Sequence, residues 1–296
     1  MTGRRLALIT PIRNEKDNLG HLKDTVLRQD MMPDLWVVVV GRSDDGSLEA
    51  ARETFSGLGW VQVLAQVSYA PGHGHKNFAR GVNDGLRRIL EMEGGRPFQY
   101  ISKIDATVDL DPDYFRKLAA RLDSDEGLAI VCGREGFTEA DGKGVPIQPS
   151  GDEIIGFNDN RLYRRDFLVE MGGYPISISP DTVLLVKSLK SGRRQMVDPD
   201  TSYRDSRLGF SKEGSWKGYF EWGRGMYSLD YHPLLSLTVA VYFGLRFRPH
   251  YQGLALPLGY FKAFIDRDGK IDDPEVRRYF RKERLGLVAR SWFGGR

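Results

Sequence analysis

The feature that most restricts the fold of this 296-residue chain is the segment LWVVVV, from Leu35 to Val40, in which every side chain is apolar. A strand of this composition has to be buried on both faces, and such strands occur in parallel sheets that helices cover on each side. Three more short apolar segments lie near it in the sequence and are also predicted to be strands: Leu6 to Thr10, Trp60 to Gln66 and Tyr100 to Ile104.

Apolar residues with helical spacing separate these strands. They predict helices at about Asp17 to Gln29, Leu48 to Phe55 and Asn77 to Met92. Strands that alternate with helices are typical of a doubly wound α/β fold, in which a mostly parallel sheet carries helices on both faces.

The second half of the chain is less regular, and we divide the chain into a first domain at 1–210 and a helical, aromatic and basic region at 211–296. Between Asp105 and the end of the first domain, the sequence predicts five segments. They are a helix at Asp113 to Leu122, a strand at Leu128 to Gly133, a loop or hairpin at Gly136 to Gly156, a short helix from Asn160 to Met171 that ends at Gly172-Gly173, and a helix from Pro180 to about Ser191.

Composition and charge exclude several classes of protein. Hydrophobic residues make up 41% and charged residues 28% of the chain, as in ordinary soluble globular proteins, and a net charge of +3 is too small to indicate nucleic-acid binding. The single cysteine, Cys132, excludes an internal disulfide framework and a cysteine-based zinc site, and it fits a reducing compartment. No secretory signal is predicted, and no segment reaches the ~20 apolar residues that span a bilayer. We therefore expect a cytoplasmic protein.

The predicted strands are followed by loops that carry Pro, Gly and acidic residues. Pro11 ends the first strand, Gly41 and Ala70 begin later loops, and Asp105 directly follows the fourth strand. Because the carboxyl ends of parallel strands meet at one edge of a sheet, where ligands bind in this class of fold, these loops should lie together. A carboxylate at that edge can hold a hard divalent cation, and the cation can hold a diphosphate. We expect this role for Asp105.

Six segments of the chain, in order, resemble motifs of the family 2 glycosyltransferases, which have the GT-A fold. The resemblance covers roughly the first two hundred residues. Each motif alone is weakly specific, but six in the right order form a fairly specific signal. The segments are LALITPIRNEKDNL, WVVVVGRSDDGS, GHGHKNFARGVNDGL, KIDATVDLDPDYF (the family's Asp-x-Asp segment), LYRRDFLVEMGGYP and PDTVLLVKSLKSGRR.

The resemblance implies an inverting, hexosyltransferase-like enzyme that moves a sugar from a UDP- or GDP-linked donor to an acceptor hydroxyl. The acceptor would be a polyprenyl-linked glycan or a cell-surface polysaccharide, and the cofactor a divalent cation, Mg²⁺ or Mn²⁺. Asp181, in the first turn of a predicted helix, would be the general base. The implied donor-binding residues are Pro11, Arg13, Glu15, Asp45, Lys76, Arg80 and Asp105.

The chain departs from the family pattern in three places. Where the family has acids after the apolar run, this chain has Val40 and Gly41, and this difference weakens the expectation of a uridine donor. Where the Asp-x-Asp segment has its second acid, this chain has Thr107, whose hydroxyl is a neutral oxygen ligand. The family often has a histidine after the catalytic helix, and this chain has Asp205 near that position. Asp205 would restore the lost charge as a third metal ligand beside Asp105 and Thr107. The alternative for Asp205 is a surface salt bridge with a neighbouring arginine.

Other interpretations stay open. The alternative for Lys76 is an ordinary surface lysine, and the alternative for Asp181 is an acid that stabilises a helix N-terminus. The whole chain could be a non-catalytic nucleotide-sugar-binding or scaffold protein, or a nucleotidyltransferase, although ThrProIleArgAsnGlu lacks the glycine-rich loop of the latter. His73 and His75 are predicted to be exposed loop residues, with metal or phosphate binding as the alternative.

The apolar and aromatic segment from Tyr231 to Phe264 has Arg246, Arg248 and Lys262 interleaved in it. One interpretation is a pair of helices in the interface of a membrane, on its inner face, with the basic residues towards anionic lipid. The alternative is a helix that packs on the first domain or on a second subunit of a homodimer.

Overall fold

The structure is a computed structural model that describes residues 5–71, 74–138, 144–146, 160–205, 215–246 and 250–286. The chain divides into two compact units, 1–206 and 207–296.

In the described residues, the first unit is built on one sheet of nine strands. Eight of them lie side by side in the order β3-β2-β1-β4-β8-β6-β9-β5, and β7 pairs with β6. In chain order the strands are β1 (Leu6–Ile12), β2 (Leu35–Val40), β3 (Val61–Ala65), β4 (Tyr100–Lys103), β5 (Val108–Leu110), β6 (Leu128–Thr138), β7 (Gly144–Pro146), β8 (Arg161–Arg164) and β9 (Arg194–Asp205).

The four predicted strands of the first half are parallel neighbours, with β1 between β2 and β4 and with β3 beyond β2. Every residue of β2 is buried, as its composition predicts. In the second half of the sheet β6 and β9 are parallel, whereas β5, β7 and β8 each run antiparallel to their partners. Parallel strands thus form the half of the sheet whose loops were expected to carry the site.

Within the described ranges, six α-helices cover the two faces of the sheet, and each face has its own apolar core. One core holds the inward side chains of α1, α2 and α4, and the other holds those of α3, α5 and α6. The predicted α/β fold with helices on both faces is therefore confirmed. The helices are α1 (Leu19–Leu27), α2 (Ser47–Thr54), α3 (Gly74–Met92), α4 (Tyr114–Ser124), α5 (Arg165–Glu170) and α6 (Pro180–Lys190).

The predicted helix from Asn160 to Met171 is wrong in its first half. Residues Arg161–Arg164 form the strand β8, which pairs with β4 on one side and β6 on the other. A segment of four residues is too short for periodicity to identify, and its place between two strands satisfies its backbone groups in the sheet. Only α5 is helical, and it ends, as predicted, before Gly172 and Gly173, whose positive φ angles of 74° and 88° favour glycine.

Two other boundaries also differ from the prediction. Pro11 does not end β1, because the strand continues to Ile12 with Pro11 opposite Val39. The pairing of β1 with β4 ends at Ile9, so Pro11, which has no N–H, lies where β1 has lost one of its two neighbours. The predicted loop or hairpin at 136–156 contains the antiparallel pair of β6 and β7, and the remainder of it lies outside the described residues.

The second unit contains four α-helices in the residues that the structure describes: α7 (Ser215–Ser228), α8 (Pro233–Arg246), α9 (Gln252–Ile265) and α10 (Pro274–Arg278), the last followed by a π-helical turn at Tyr279–Glu283. α7 and α9 cross with their backbones almost touching, because Gly223 and Gly259 lie at the crossing. A Cβ atom on Gly259 would lie 1.9 Å from the carbonyl oxygen of Phe220. Within the described ranges, none of the helices has the length and apolar character that crossing a membrane requires.

Candidate active site

The loops that follow β1 and β2 are tied together at the carboxyl edge of the sheet. The Asn14 side-chain amide donates to Asp44 Oδ1 over 2.6 Å, and the Asp44 backbone N–H donates to Asn14 Oδ1 over 3.0 Å. Arg13 Nε donates to the carbonyl oxygen of Arg42 over 3.1 Å. The two loops therefore form one surface, as the parallel arrangement of their strands predicted.

Asp45 joins the same two loops. Its carboxylate accepts hydrogen bonds from the backbone N–H of Lys16 (3.1 Å) and of Ser47 (2.9 Å), and also from the Ser47 hydroxyl. Slight burial acts to raise the pKa of Asp45, but these hydrogen bonds outweigh it and lower that pKa. Glu15 is buried in the first loop, where its carboxylate accepts a hydrogen bond from the Asn18 side chain over 2.7 Å. Arg13, Glu15 and Asp45 are thus brought together.

The first turns of α3 carry Lys76 and Arg80, both of which are partly buried. Arg80 Nη1 donates to Asn77 Oδ1 over 3.2 Å. α3 lies beside Pro11, because a Cβ atom on Gly81 would be 3.7 Å from the Pro11 side chain. These residues are therefore placed near the ends of the parallel strands.

The segment after β4 carries two of the predicted metal ligands, Asp105 and Thr107, and contacts the third, Asp205. β5 pairs with the end of β9 so that Val108 lies opposite Asp205, and the Thr107 hydroxyl donates to Asp205 Oδ1 over 2.7 Å. Asp105 begins the same segment, and its backbone N–H donates to Asn160 Oδ1 over 2.9 Å. The strand pairing thus supplies an acid, Asp205, beside the threonine that stands where the resemblance expects an acid.

Asp105 lies in a field of other charges. Burial raises the pKa of Asp105, the nearby Lys103 ammonium opposes that change, and the carboxylates of Asp205 and Asp181 raise the pKa further. Asp105 therefore lies within the electrostatic influence of both other carboxylates.

Asp181 lies in the first turn of α6, as predicted, and its side chain is 16% exposed. The Tyr174 hydroxyl donates to Asp181 Oδ1 over 3.2 Å, and Arg161 Nη1 lies 3.5 Å from the same oxygen. Arg161 Nη1 also donates to the Asp181 backbone carbonyl over 3.0 Å. These contacts hold the carboxylate in one orientation while part of it stays accessible.

Lys103 and Arg161 are two buried cations of the site that the sequence-based prediction missed. They lie opposite each other in the pairing of β4 with β8, and they are 1% and 2% exposed. Each contacts a different acid, Lys103 Nζ being 3.1 Å from Asp105 Oδ1. The signal that could have revealed Lys103 is a charged residue inside an otherwise apolar strand, YISKI, two positions before Asp105.

The oxygens of Asp105, Thr107 and Asp205 fit a hard divalent cation in chemical type, since Mg²⁺ and Mn²⁺ prefer carboxylate and neutral oxygen ligands. Throughout the part of the chain that the structure describes, no group of three or more His, Cys, Asp or Glu side chains is arranged as a metal site. The candidate set contains two acids, Asp105 and Asp205, and the hydroxyl of Thr107. The side chains of His73 and His75 lie outside the described residues.

The sequence matches no protein-family model and no curated protein. Solved structures do match. The mannosyltransferase PcManGT from Pyrobaculum calidifontis, in complex with GDP-Man and Mn²⁺, aligns with a TM-score of 0.58 and 17% identity over 99% of this chain and 84% of that one. S. aureus TarS 1–349 with UDP-GlcNAc aligns with a TM-score of 0.54 and 16% identity over 95% and 92%. GalNAc-T7 with UDP, GalNAc and Mn²⁺ aligns with a TM-score of 0.60 and 14% identity over 98% and 58%. The chain therefore has the GT-A glycosyltransferase fold.

Proposed function

We propose that the chain is a glycosyltransferase that moves a sugar from a nucleoside diphosphate sugar to an acceptor hydroxyl, with inversion. Two observations in a protein with this fold support the proposal: the contact between Thr107 and Asp205, and the influence of the Asp205 and Asp181 charges on Asp105. Asp105, Thr107 and Asp205 offer oxygens for a cation that binds a diphosphate. Asp181 offers a separate carboxylate for a proton.

A nucleoside diphosphate sugar is the proposed donor. The structures of similar fold were solved with GDP-Man, with UDP-GlcNAc, or with UDP and GalNAc. In this chain, the surface formed by the first two loops would hold the base and ribose through Arg13, Glu15 and Asp45. Lys76 and Arg80 of α3 would lie towards the diphosphate, near a helix N-terminus, where anions are favoured.

A divalent cation held by Asp105, Thr107 and Asp205 would neutralise the charge that develops on the leaving diphosphate. Asp181 would accept the proton of the acceptor hydroxyl as that oxygen attacks the sugar. Arg161 and Tyr174 would keep the Asp181 carboxylate in position, because both contact the same carboxylate oxygen. The acceptor is proposed to be a glycan, either polyprenyl-linked or part of a cell-surface polysaccharide.

Donor binding gives the direct test of this proposal. Isothermal titration with UDP- and GDP-sugars should give a dissociation constant of about 1 μM to 1 mM for at least one of them, which is the usual range for enzyme substrates. Mn²⁺ should tighten binding, because a cation held by Asp105, Thr107 and Asp205 would supply positive charge to the diphosphate. Both bases are needed in the test, because Val40 and Gly41 stand where the resemblance expects base-contacting acids.

The outcome also separates the rival functions. Absence of binding at millimolar concentrations of every donor would contradict both a transferase and a nucleotide-sugar-binding scaffold. Binding without any transfer to glycan or polyprenyl-linked acceptors would favour the scaffold. Release of pyrophosphate from a nucleoside triphosphate and a sugar phosphate would favour a nucleotidyltransferase.

Two helices of the second unit present apolar faces to solvent, and we propose that these faces contact a membrane surface. The exposed positions recur every three or four residues, so they lie on one face of each helix. Leu245 is 78% and Ile265 is 72% exposed. The faces consist of Leu234, Leu237, Val241 and Leu245 on α8, and of Leu254, Leu258, Phe261 and Ile265 on α9.

Charge favours an anionic lipid surface over other occupants of these faces. Neither helix contains an aspartate or glutamate, and the chain from Pro274 onwards carries seven Lys or Arg residues against two glutamates. Apolar helix faces with neighbouring basic residues bind to the interface of anionic bilayers. A lipid surface would also bring the enzyme to a polyprenyl-linked acceptor.

We expect the protein to sediment with phosphatidylglycerol vesicles more strongly than with phosphatidylcholine vesicles. The double substitution Leu237→Glu and Leu245→Glu should remove this binding, because it places charge in the apolar face of α8. The matched control is Val67→Glu, since Val67 is 84% exposed in the first unit and should not matter. The alternative is that a second copy of the chain covers these faces. In that case light scattering would show a stable dimer, the dimer would not bind vesicles, and the double substitution would dissociate it.

A further inference from the structure

Lys103 occupies an unusual position for a lysine. It lies in β4, between β1 and β8, with only 2% of its side chain exposed. Burying an ammonium group is unfavourable unless an anion and hydrogen bonds compensate its charge. A lysine at this position therefore needs a specific electrostatic partner in the site.

The geometry identifies Asp105 as that partner. Lys103 Nζ lies 3.1 Å from Asp105 Oδ1 and 3.2 Å from Oδ2, so the ammonium contacts both oxygens of the carboxylate. It also lies 4.9 Å from the centre of the Phe78 ring, a distance at which a cation is attracted to the ring face. Lys103 is the last residue of β4, and Asp105 lies two residues beyond it.

Arg161, the neighbour of Lys103 on β8, contacts a different acid, Asp181. The cations of the site are thus divided between its carboxylates. Asp205 accepts a hydrogen bond from the Thr107 hydroxyl. Asp105, the proposed metal ligand at the end of β4, already has a buried cation against both of its oxygens.

We propose that Lys103 is an internal cation that competes with a divalent metal ion for the carboxylate of Asp105. The inference rests on the proposed function, because that function brings a metal ion to Asp105. It follows that the free protein binds the metal ion weakly. A nucleoside diphosphate adds negative charge that compensates both cations, so nucleotide and metal ion each strengthen the binding of the other by the same factor.

The test uses Mn²⁺ alone, with the unbound ion measured by electron paramagnetic resonance and with no donor or activity assay. Lys103→Met should bind Mn²⁺ at least about tenfold more tightly than the wild-type protein, a change of about 1.4 kcal/mol. Lys103→Arg is the matched control, because it keeps the charge and should bind Mn²⁺ as weakly as the wild type. Asp105→Asn in the Lys103→Met background should remove the gain.

Equal or weaker Mn²⁺ binding by Lys103→Met would overturn the proposal. If that variant does not fold, ¹⁵N spectra of lysine ammonium groups in the wild-type protein give a second test. The Lys103 signal, assigned by its loss in Lys103→Arg, should shift when saturating Mg²⁺ is added, and an unchanged signal would contradict competition. These measurements need no sugar donor. Failure of the proposed function, seen as absent donor binding, can therefore be distinguished from failure of the competition between Lys103 and the metal ion.

Discussion

Replacing Asp181 with asparagine should lower the turnover number for sugar transfer by about 10²–10⁴-fold, the usual contribution of a general base. Asparagine has nearly the same shape as aspartate and can still accept the hydrogen bond from the Tyr174 hydroxyl. It cannot take a proton from the acceptor. Donor affinity should therefore stay nearly unchanged, since the proposed donor contacts lie in the first two loops, on α3 and at Asp105.

The measurement pairs the rate of nucleoside diphosphate release in the presence of acceptor with donor titration calorimetry. Asp166→Asn is the matched control, because Asp166 also lies in the first turn of a helix, α5, but its side chain is 90% exposed. Thermal unfolding of both variants shows whether the loss of charge opposite Arg161 affects stability. Full activity of Asp181→Asn would remove Asp181 from the role of base.

The second large effect is expected at the crossing of α7 and α9. Helix propensity alone predicts that Gly259→Ala should stabilise α9 by about 1 kcal/mol, because glycine is a poor helix former. The structure predicts the opposite sign, since the new methyl group would lie 1.9 Å from the carbonyl oxygen of Phe220, a backbone atom that cannot rotate away. The helices would have to separate, and overpacking of this kind costs about 1–3 kcal/mol or more.

Thermal unfolding of the second unit measures this effect, and each kcal/mol should lower its melting temperature by about 4–8 °C. Gly20→Ala in α1 is the control, because a Cβ atom there meets nothing within 4 Å. That variant should be neutral or slightly more stable. A Gly259→Ala protein as stable as the wild type would show that α7 and α9 do not pack through their backbones.

Much of the first unit follows from local sequence patterns. The apolar run of β2, the alternation of strands and helices and the strand-end position of Asp105 were all readable from sequence, as was the place of Asp181 at the start of α6. Each is a short-range pattern, because burial on both faces demands an apolar run and a helix start has its own residue preferences. The resemblance to family 2 glycosyltransferases used the same local segments.

Other features depended on pairing between distant parts of the chain. The segment at β8 was predicted to be helical, but it forms a strand because it pairs with β4 and β6. No local pattern predicted β5 or β9. The contact between Thr107 and Asp205, two of the predicted metal ligands, joins residues 98 positions apart.

Local sequence patterns were enough to predict a parallel sheet with an acid, Asp105, at its carboxyl edge. The charges around that acid follow from strand pairing, which buries Lys103 at the end of β4 and places Asp205 opposite Val108. The physical reason is the range of the forces involved. Hydrophobic periodicity acts between neighbours in sequence, whereas electrostatic interactions depend on distance in space and on burial, which exist only once the strands have paired.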